Sequence, residues 1–217
     1  RAMADICNVS FYRLMTGKLK ESEIKSIYDN SDTLHKIPLF YDESIELYTI
    51  CSKIRKMAKN GVKLVCVDYV QIVRVSLNRN STREQEISTI SSTLKQLAKE
   101  LNIVIIGLAQ LLREIDKRAV KRPMISDLRE SSSLESDADM IWLLYRPEIY
   151  KVSTWDSACD WEGQDTNGQM EVNVAKFRNG APFQERVKFW GDHQRIFDYG
   201  TEAQYYNPVP NSGGVQT

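Results

Sequence analysis

Apolar positions along this chain recur with two different periods. From Arg83 to Leu101, the residues Ile87, Ile90, Leu94, Leu97, Ala98 and Leu101 stand three or four apart, which predicts one long amphipathic helix. Ile45 to Lys59 repeats that spacing through Leu47, Ile50, Ile54, Met57 and Ala58, and Asn60-Gly61 supplies a carboxyl cap. Residues 2–15 carry a looser stripe (Ile6, Val9, Tyr12, Leu14) expected to continue a helix, and Lys20 to Lys36 is expected to be a second helix. Between the helical stretches stand short apolar runs without a period: Lys63 to Asp68, Ile103 to Ala109 and Met140 to Tyr145. Such runs predict strands of a parallel sheet buried on both faces. Pro38-Leu39-Phe40-Tyr41 is a weaker strand candidate. Gln169–Phe177 and Pro182–Trp190 alternate with period two around Asn179-Gly180, the pattern of a hairpin.

Helices alternating with strands give an α/β domain with a largely parallel sheet, flanked by helices and finished by a hairpin. The domain is expected to cover residues 1–199. Residues 151–168 read as an exposed insertion, and the polar tail 200–217 is expected to be disordered. The first helix lacks the strand and loop that would precede it, so the sheet is expected to miss its first strand. The chain opens at Arg1-Ala2-Met3 and is expected to be a cut piece.

Composition narrows the partners rather than the fold. Lys and Arg number 29, as do Asp and Glu, so no global field draws the chain to nucleic acid or membrane; any such contact must come from local clusters. No apolar run approaches the roughly 20 residues that cross a bilayer. The four cysteines (Cys7, Cys51, Cys66, Cys159) form no C-x-x-C pair and are expected to be reduced thiols in a cytosolic protein, Cys66 as a small core residue. His35 and His193 are isolated and read as surface or capping residues.

Four places can carry chemistry. Asp68 ends an apolar strand, at the sheet rim where ligands of open α/β folds bind; there it can hold Mg2+ beside a triphosphate, or simply cap a turn. Gln110 ends the next apolar run, where an amide can donate to a phosphate and accept from water, or serve as a polar strand end. The segment from Asp127 to Asp139 sets Arg129 among hydroxyls and backbone amides, suited to a phosphate backbone or to a solvated loop. Lys176 and Arg178 stand two apart on a predicted strand and share a face, able to neutralise charge on a transferring phosphoryl group or to flank a hairpin in solvent.

The order and wording of these pieces carry a resemblance. They are Val67-Asp68-Tyr69-Val70-Gln71, Gln85-Glu86-Ile87-Ser88, Leu94-Lys95-Gln96-Leu97-Ala98-Lys99-Glu100-Leu101 and Gly107-Leu108-Ala109-Gln110-Leu111. They continue with Lys121-Arg122-Pro123, Ser126-Asp127-Leu128-Arg129-Glu130-Ser131, Asp137-Ala138-Asp139, Leu144-Tyr145-Arg146 and Lys176-Phe177-Arg178-Asn179-Gly180. Together they resemble the RecA-like motor domain of DnaB-type replicative DNA helicases, from near residue 1 to about Tyr199. The resemblance implies an ATP-driven hexameric ring on single-stranded DNA, with 5′ to 3′ polarity, that meets a primase and a loader in the cytoplasm. It implies that Asp68 is the magnesium-holding acid, Gln110 the phosphate sensor, and Lys176 and Arg178 the pair that reaches a neighbouring subunit's ATP. It further implies that Arg129, Glu130 and Ser132 line the DNA channel, and that the loop before Arg83 is a second channel loop.

Two departures stand out. The phosphate loop G-x-x-x-x-G-K-[ST] is absent; the one glycine pair at that spacing, Gly163 and Gly168, is followed by Gln169 and follows no strand. The family's catalytic Glu would fall before residue 1. Both fit a carboxyl-terminal fragment, with negligible ATPase activity of its own; the rival readings are a non-hydrolysing RecA-like module and a recombinase-like or clock-type ATPase. Ser132 stands where the family has Gly, at a cost on the order of 1 kcal/mol if that position needs positive φ. A sheet short of its first strand is expected to expose an edge or face and to associate.

Overall fold

The structure, a computed structural model, describes residues 1–77, 81–128 and 132–200. The elements run α1 (Ala2–Ile6), α2 (Phe11–Thr16), α3 (Glu21–Asp29), α4 (Ser31–Lys36), α5 (Leu47–Lys59), β1 (Leu64–Val67), α6 (Arg83–Leu101) and β2 (Val104–Gly107). They continue with α7 (Ser132–Asp137), β3 (Met140–Tyr145), β4 (Gln169–Phe177), β5 (Phe183–Trp190) and β6 (Arg195–Asp198). β1 and β2 pair in parallel, from Leu64 opposite Val104 to Val67 opposite Gly107. A second sheet has the order β3-β4-β5-β6, with β5 and β6 antiparallel. The α/β class, the parallel pairing of β1 with β2 and the hairpin are as the sequence predicts, whereas β3, expected in the same parallel sheet and buried on both faces, edges the second sheet with Trp142 and Leu144 exposed. Two compact units result: Arg1–Phe40 with Leu144–Val172 and the described chain from Gln184, and Tyr41–Leu143 with Asn173–Phe183.

The second unit is built on α5 and α6. Leu47, Cys51 and Ile54 of α5 pack with Ile87, Ile90, Leu94 and Leu97 of α6, and with Val70, Val73 and Val75 after β1. α6 has the predicted bounds because both ends are fixed locally. Thr82 Oγ accepts from the Gln85 amide, Gln85 Oε1 accepts from the Thr82 amide, and Asn102 closes the helix in the left-handed region at φ 51°. Gly107 is required by packing: a Cβ there would lie 2.9 Å from Val70 Cγ2.

Only one side of the β1–β2 pair is covered among the described residues. Val65, Val67 and Ile105 pack on the core, whereas Leu64 (54% exposed), Val104 (59%), Ile106 (41%) and Cys66 face away from it. The expectation of a strand buried on both faces, with Cys66 in the core, is therefore corrected. The apolar run registers what such a strand can bury, but burial of its second face needs a covering layer.

In the first unit the amino-terminal helices are shorter than predicted. The expected helix over 2–15 breaks where Asn8 takes φ 52° and Ser10 caps α2; that over 20–36 breaks at Asn30, whose side chain donates to Ser26 O at 2.8 Å. Pro38–Tyr41 is not a strand: Phe40 and Tyr41 are exposed, and among the described residues no strand pairs with this segment. The 151–168 segment is not simply exposed. Trp155 and Trp161 are buried against Tyr145, and Thr166 is buried with its amide donating to Ser153 O. β6 escapes a sequence reading because Arg195-Ile196-Phe197-Asp198 is neither an apolar run nor an alternation. His193 stacks on Trp190 at 3.6 Å between ring centroids. Residues 201–217 lie outside the described residues.

One ion pair ties α2 to α3. Arg13 Nε donates to both Glu23 oxygens at 2.9 and 3.0 Å and a terminal nitrogen donates at 2.6 Å; the Ser10 and Lys20 amides add two bonds. Arg13, foremost among these donors, holds the buried Glu23 carboxyl down to about 2. A carboxylate depressed on folding contributes stability above its ordinary pKa and loses it as pH falls toward the folded value. The contribution is thus full above about pH 5 and lost between there and about pH 2. Arg13 is over a third exposed, which screens the pair, so Glu23→Gln is expected to cost about 2 kcal/mol at neutral pH and little at pH 2. Thermal unfolding across that range checks it; equal losses at both ends would refute the pairing.

Candidate functional site

The carboxyl ends of β1 and β2 lie side by side. Leu108 N donates to Val67 O at 2.9 Å and Val70 N to Leu108 O at 2.8 Å, so the two chains stay tied as they leave the sheet. Asp68 follows β1 directly, and Gln110 lies three residues beyond β2; both are exposed. A carboxylate and an amide thus emerge from the same end of two adjacent parallel strands, at the rim where such sheets bind ligands.

The sequence reading gave no role to Gln71, which fixes this rim. Its side-chain amide donates to Gln110 O and its side-chain oxygen accepts from Gln110 N, each at 3.3 Å. This clasp fastens the Gln110 backbone and leaves the Gln110 side chain to face outward. Gln71 O in turn accepts from an Arg83 guanidinium nitrogen at 2.6 Å, and Arg83 begins α6. Its sequence signal was its place three positions after Asp68, at the end of the segment Val67–Gln71; in the structure it sits in a one-turn helix over Val70–Ile72.

A second path leaves Gln110 along the chain. Leu111 forms an antiparallel bridge with Leu128, and Leu112 N donates to Asp127 O at 2.8 Å. Asp127 is buried and anchored, accepting from Arg118 at 2.7 Å and from Met124 N at 2.8 Å. Leu128 thus places the start of the predicted DNA loop beside the residue after Gln110. Arg129 and Glu130 lie outside the described residues. Ser132 begins α7, donating to Glu84 of α6 at 3.4 Å, and is not among the positive-φ residues. The strain expected for Ser at a glycine position does not arise, because helical backbone suits any L-residue.

Lys176 and Arg178 share a side of the β4 end, as predicted, and both converge on the carboxyl end of α7. Lys176 Nζ donates to Glu135 O and to Ser136 O; Arg178 donates to Ser136 O at 2.8 Å and to Asp139 Oδ1 at 3.2 Å. Helix carbonyls left unpaired at a carboxyl terminus attract cations, which explains the pose. Asp139 joins them, a residue to which the sequence reading gave no role of its own. Its carboxyl sits below the usual range because Lys95 bonds it, with Arg178 and Lys99 adding to the effect. No described contact joins Lys176 or Arg178 to Asp68 or Gln110.

Among the described residues no three His, Cys, Asp or Glu side chains cluster as metal ligands. At the rim the Asp68 carboxylate offers a hard oxygen. That suits Mg2+, which takes one or two carboxylates and completes its shell with phosphates and water. No helix among the described residues is long and apolar enough to cross a membrane.

Residues 1–198 match the family model described as DnaB-like helicase C terminal domain. A replicative DNA helicase DnaB of Buchnera aphidicola subsp. Acyrthosiphon pisum is 39% identical over 207 residues, covering 92% of this chain and 42% of the relative. A probable replicative DNA helicase of Trieres chinensis is 35% identical, covering 86% of this chain and 40% of the relative. The chain thus spans less than half the length of these curated relatives. Among solved structures, a DnaB-like replicative helicase described with its interactions with primase superposes at a TM-score of 0.76 with 28% identity, covering 91% of this chain and 46% of the other. A second solved structure, described as an ATPase domain, superposes at 0.77 with 28% identity, covering 91% of this chain and 68% of that one. By sequence and by its mixed α/β, RecA-like fold, this chain belongs to the DnaB-like helicase C-terminal domain family.

Proposed function

We propose that this chain is the motor part of an ATP-driven replicative DNA helicase that works in the cytoplasm as a hexameric ring, moving 5′ to 3′ on single-stranded DNA. The observation that carries the reading is the emergence of Asp68 and Gln110 from the same end of the adjacent parallel strands β1 and β2. Family membership and the ATPase-domain neighbour support it.

In this reading Asp68 holds Mg2+ through water, and the ion, when bound, neutralises phosphate charge. Gln110 senses the terminal phosphate with its free side chain. Any shift of Gln110 is passed through Gln71 to Arg83, at the foot of one DNA loop, and through Leu111 to Leu128, next to Arg129 of the other. Arg129, Glu130 and Ser132 contact the DNA backbone. Lys176 and Arg178 neutralise charge at the ATP of the neighbouring subunit. Primase and a helicase loader are the proposed protein partners.

The rival reading is a RecA-like module that binds DNA or joins a ring without hydrolysis. Strand displacement by the full-length protein separates the two. Asp68→Asn is expected to lower ATP-driven unwinding by about a hundredfold or more while leaving the ring assembled. Unwinding at wild-type rate would remove Asp68 from the mechanism, and a wild-type protein that never hydrolyses ATP would favour the module.

A further inference from the structure

The antiparallel ribbon β5–β6 has a face that the helicase reading does not use. Lys188 lies opposite Phe197 and Trp190 opposite Arg195, so cations and aromatic rings alternate across the two strands. One step further along, the Arg186 guanidinium lies 3.4 Å from the Tyr199 ring centroid and 5.2 Å from that of Trp161, and Lys188 Nζ lies 5.9 Å from Tyr199. Trp161, Glu185, Arg186, Val187, Asp198 and Tyr199 line a cleft of about 480 Å³. That volume suits a small planar ligand group.

Two donors at this cleft lack partners among the described residues. Trp161 is 9% exposed and its indole N–H is unbonded; the Nε–H of Arg186 is also unbonded, while a terminal nitrogen of Arg186 donates to Gln164 at 2.6 Å. Buried donors ordinarily find acceptors. Glu185 and Asp198 supply acceptors at the same cleft. A nucleobase matches this set: a flat π-face for Tyr199 and Arg186, ring and carbonyl acceptors for the two N–H groups, and amino groups for the carboxylates. The acids disfavour a phosphate inside the cleft, whereas Lys188 beside it suits a backbone passing its edge. Arg195 is already engaged by Asp5 and contributes no free charge.

We propose that this cleft is a base-stacking site for single-stranded nucleic acid, built from residues different from those of the loop at Arg129. The proposal does not depend on the chain being a helicase motor. Single-stranded DNA and RNA share the required chemistry.

The test titrates the 217-residue chain with short oligothymidylate and, separately, oligouridylate. Trp161 emission is read as the difference between wild type and Trp161→Phe. Quenching by either oligomer is the expected result, and the stronger response names the nucleic acid. Tyr199→Ala is expected to weaken that response roughly tenfold, as loss of one stacked base does, and Tyr199→Phe to retain it. Tyr199 is 41% exposed, so its truncation leaves the core intact. No quenching by either oligomer, quenching unchanged in Tyr199→Ala, or quenching by an acidic peptide alone would each overturn the proposal.

Discussion

Arg178→Ala in the assembled full-length ring is expected to slow ATP hydrolysis by about a thousandfold while sparing ATP binding by the same subunit. A guanidinium supplied across a subunit boundary acts on charge that develops during phosphoryl transfer, so its loss falls on turnover rather than on ground-state binding. In the single protomer Arg178 is parked on Ser136 O and Asp139. Its side chain is 45% exposed and that of Asp139 56%. An exposed pair of this kind contributes at most about 1 kcal/mol, so in the proposed ring the arginine would leave it at little cost for a neighbour's triphosphate. Steady-state turnover together with binding of a fluorescent ATP analogue checks the split. Normal turnover with reduced DNA affinity would move Arg178 out of the ATP site and into the DNA path.

The 217-residue chain alone is expected to turn over ATP no faster than buffer. Cradling a triphosphate takes a run of backbone amides at a helix start and a lysine, and no segment of this sequence has that pattern. Asp68 and Gln110 cannot substitute, because a carboxylate repels phosphate without a cation between them and one amide does not hold three charged groups. Phosphate release by the purified chain, compared with a preparation carrying Asp68→Asn, decides the matter. Release well above background that disappears with Asp68→Asn would show that the chain hydrolyses ATP unaided. Binding studies of the proposed DNA loop and of the β5–β6 cleft need no nucleotide.

The extent to which the sequence was legible varied with how local the cause was. The α6 helix could be bounded to the residue because its periodicity, its Thr82–Gln85 capping box and its Asn102 stop all lie within the segment. The hairpin was legible for the same reason, with alternation on both arms and Asn179-Gly180 between them. The breaks at Asn8 and Asn30 were missed because a loose apolar stripe continues through both; single asparagines turned the backbone there. The buried tryptophans of 151–168 were missed because a polar sequence conceals two large rings whose partner, Tyr145, belongs to a strand well before them. For the candidate site, Asp68, Gln110, Lys176 and Arg178 could be named from strand ends and motif order. Gln71 and Asp139 could not, since their roles consist of what they touch.

By itself the sequence determined the helices α5 and α6 and the apolar and alternating strands, that an acid and an amide end two apolar runs, that two cations stand two apart where a strand meets its hairpin turn, and that no phosphate loop is present. Those properties follow from periodicity, caps and residue chemistry acting over a few positions. Only the tertiary structure decided that β1 and β2 are neighbours with one face uncovered, that Gln71 clasps Gln110, that both cations rest on the end of α7, and that Arg186, Tyr199 and Trp161 enclose a cleft. Each of those depends on groups far apart in the chain meeting within a few ångströms, where hydrogen bonds and packing act, and a local pattern carries no record of such meetings.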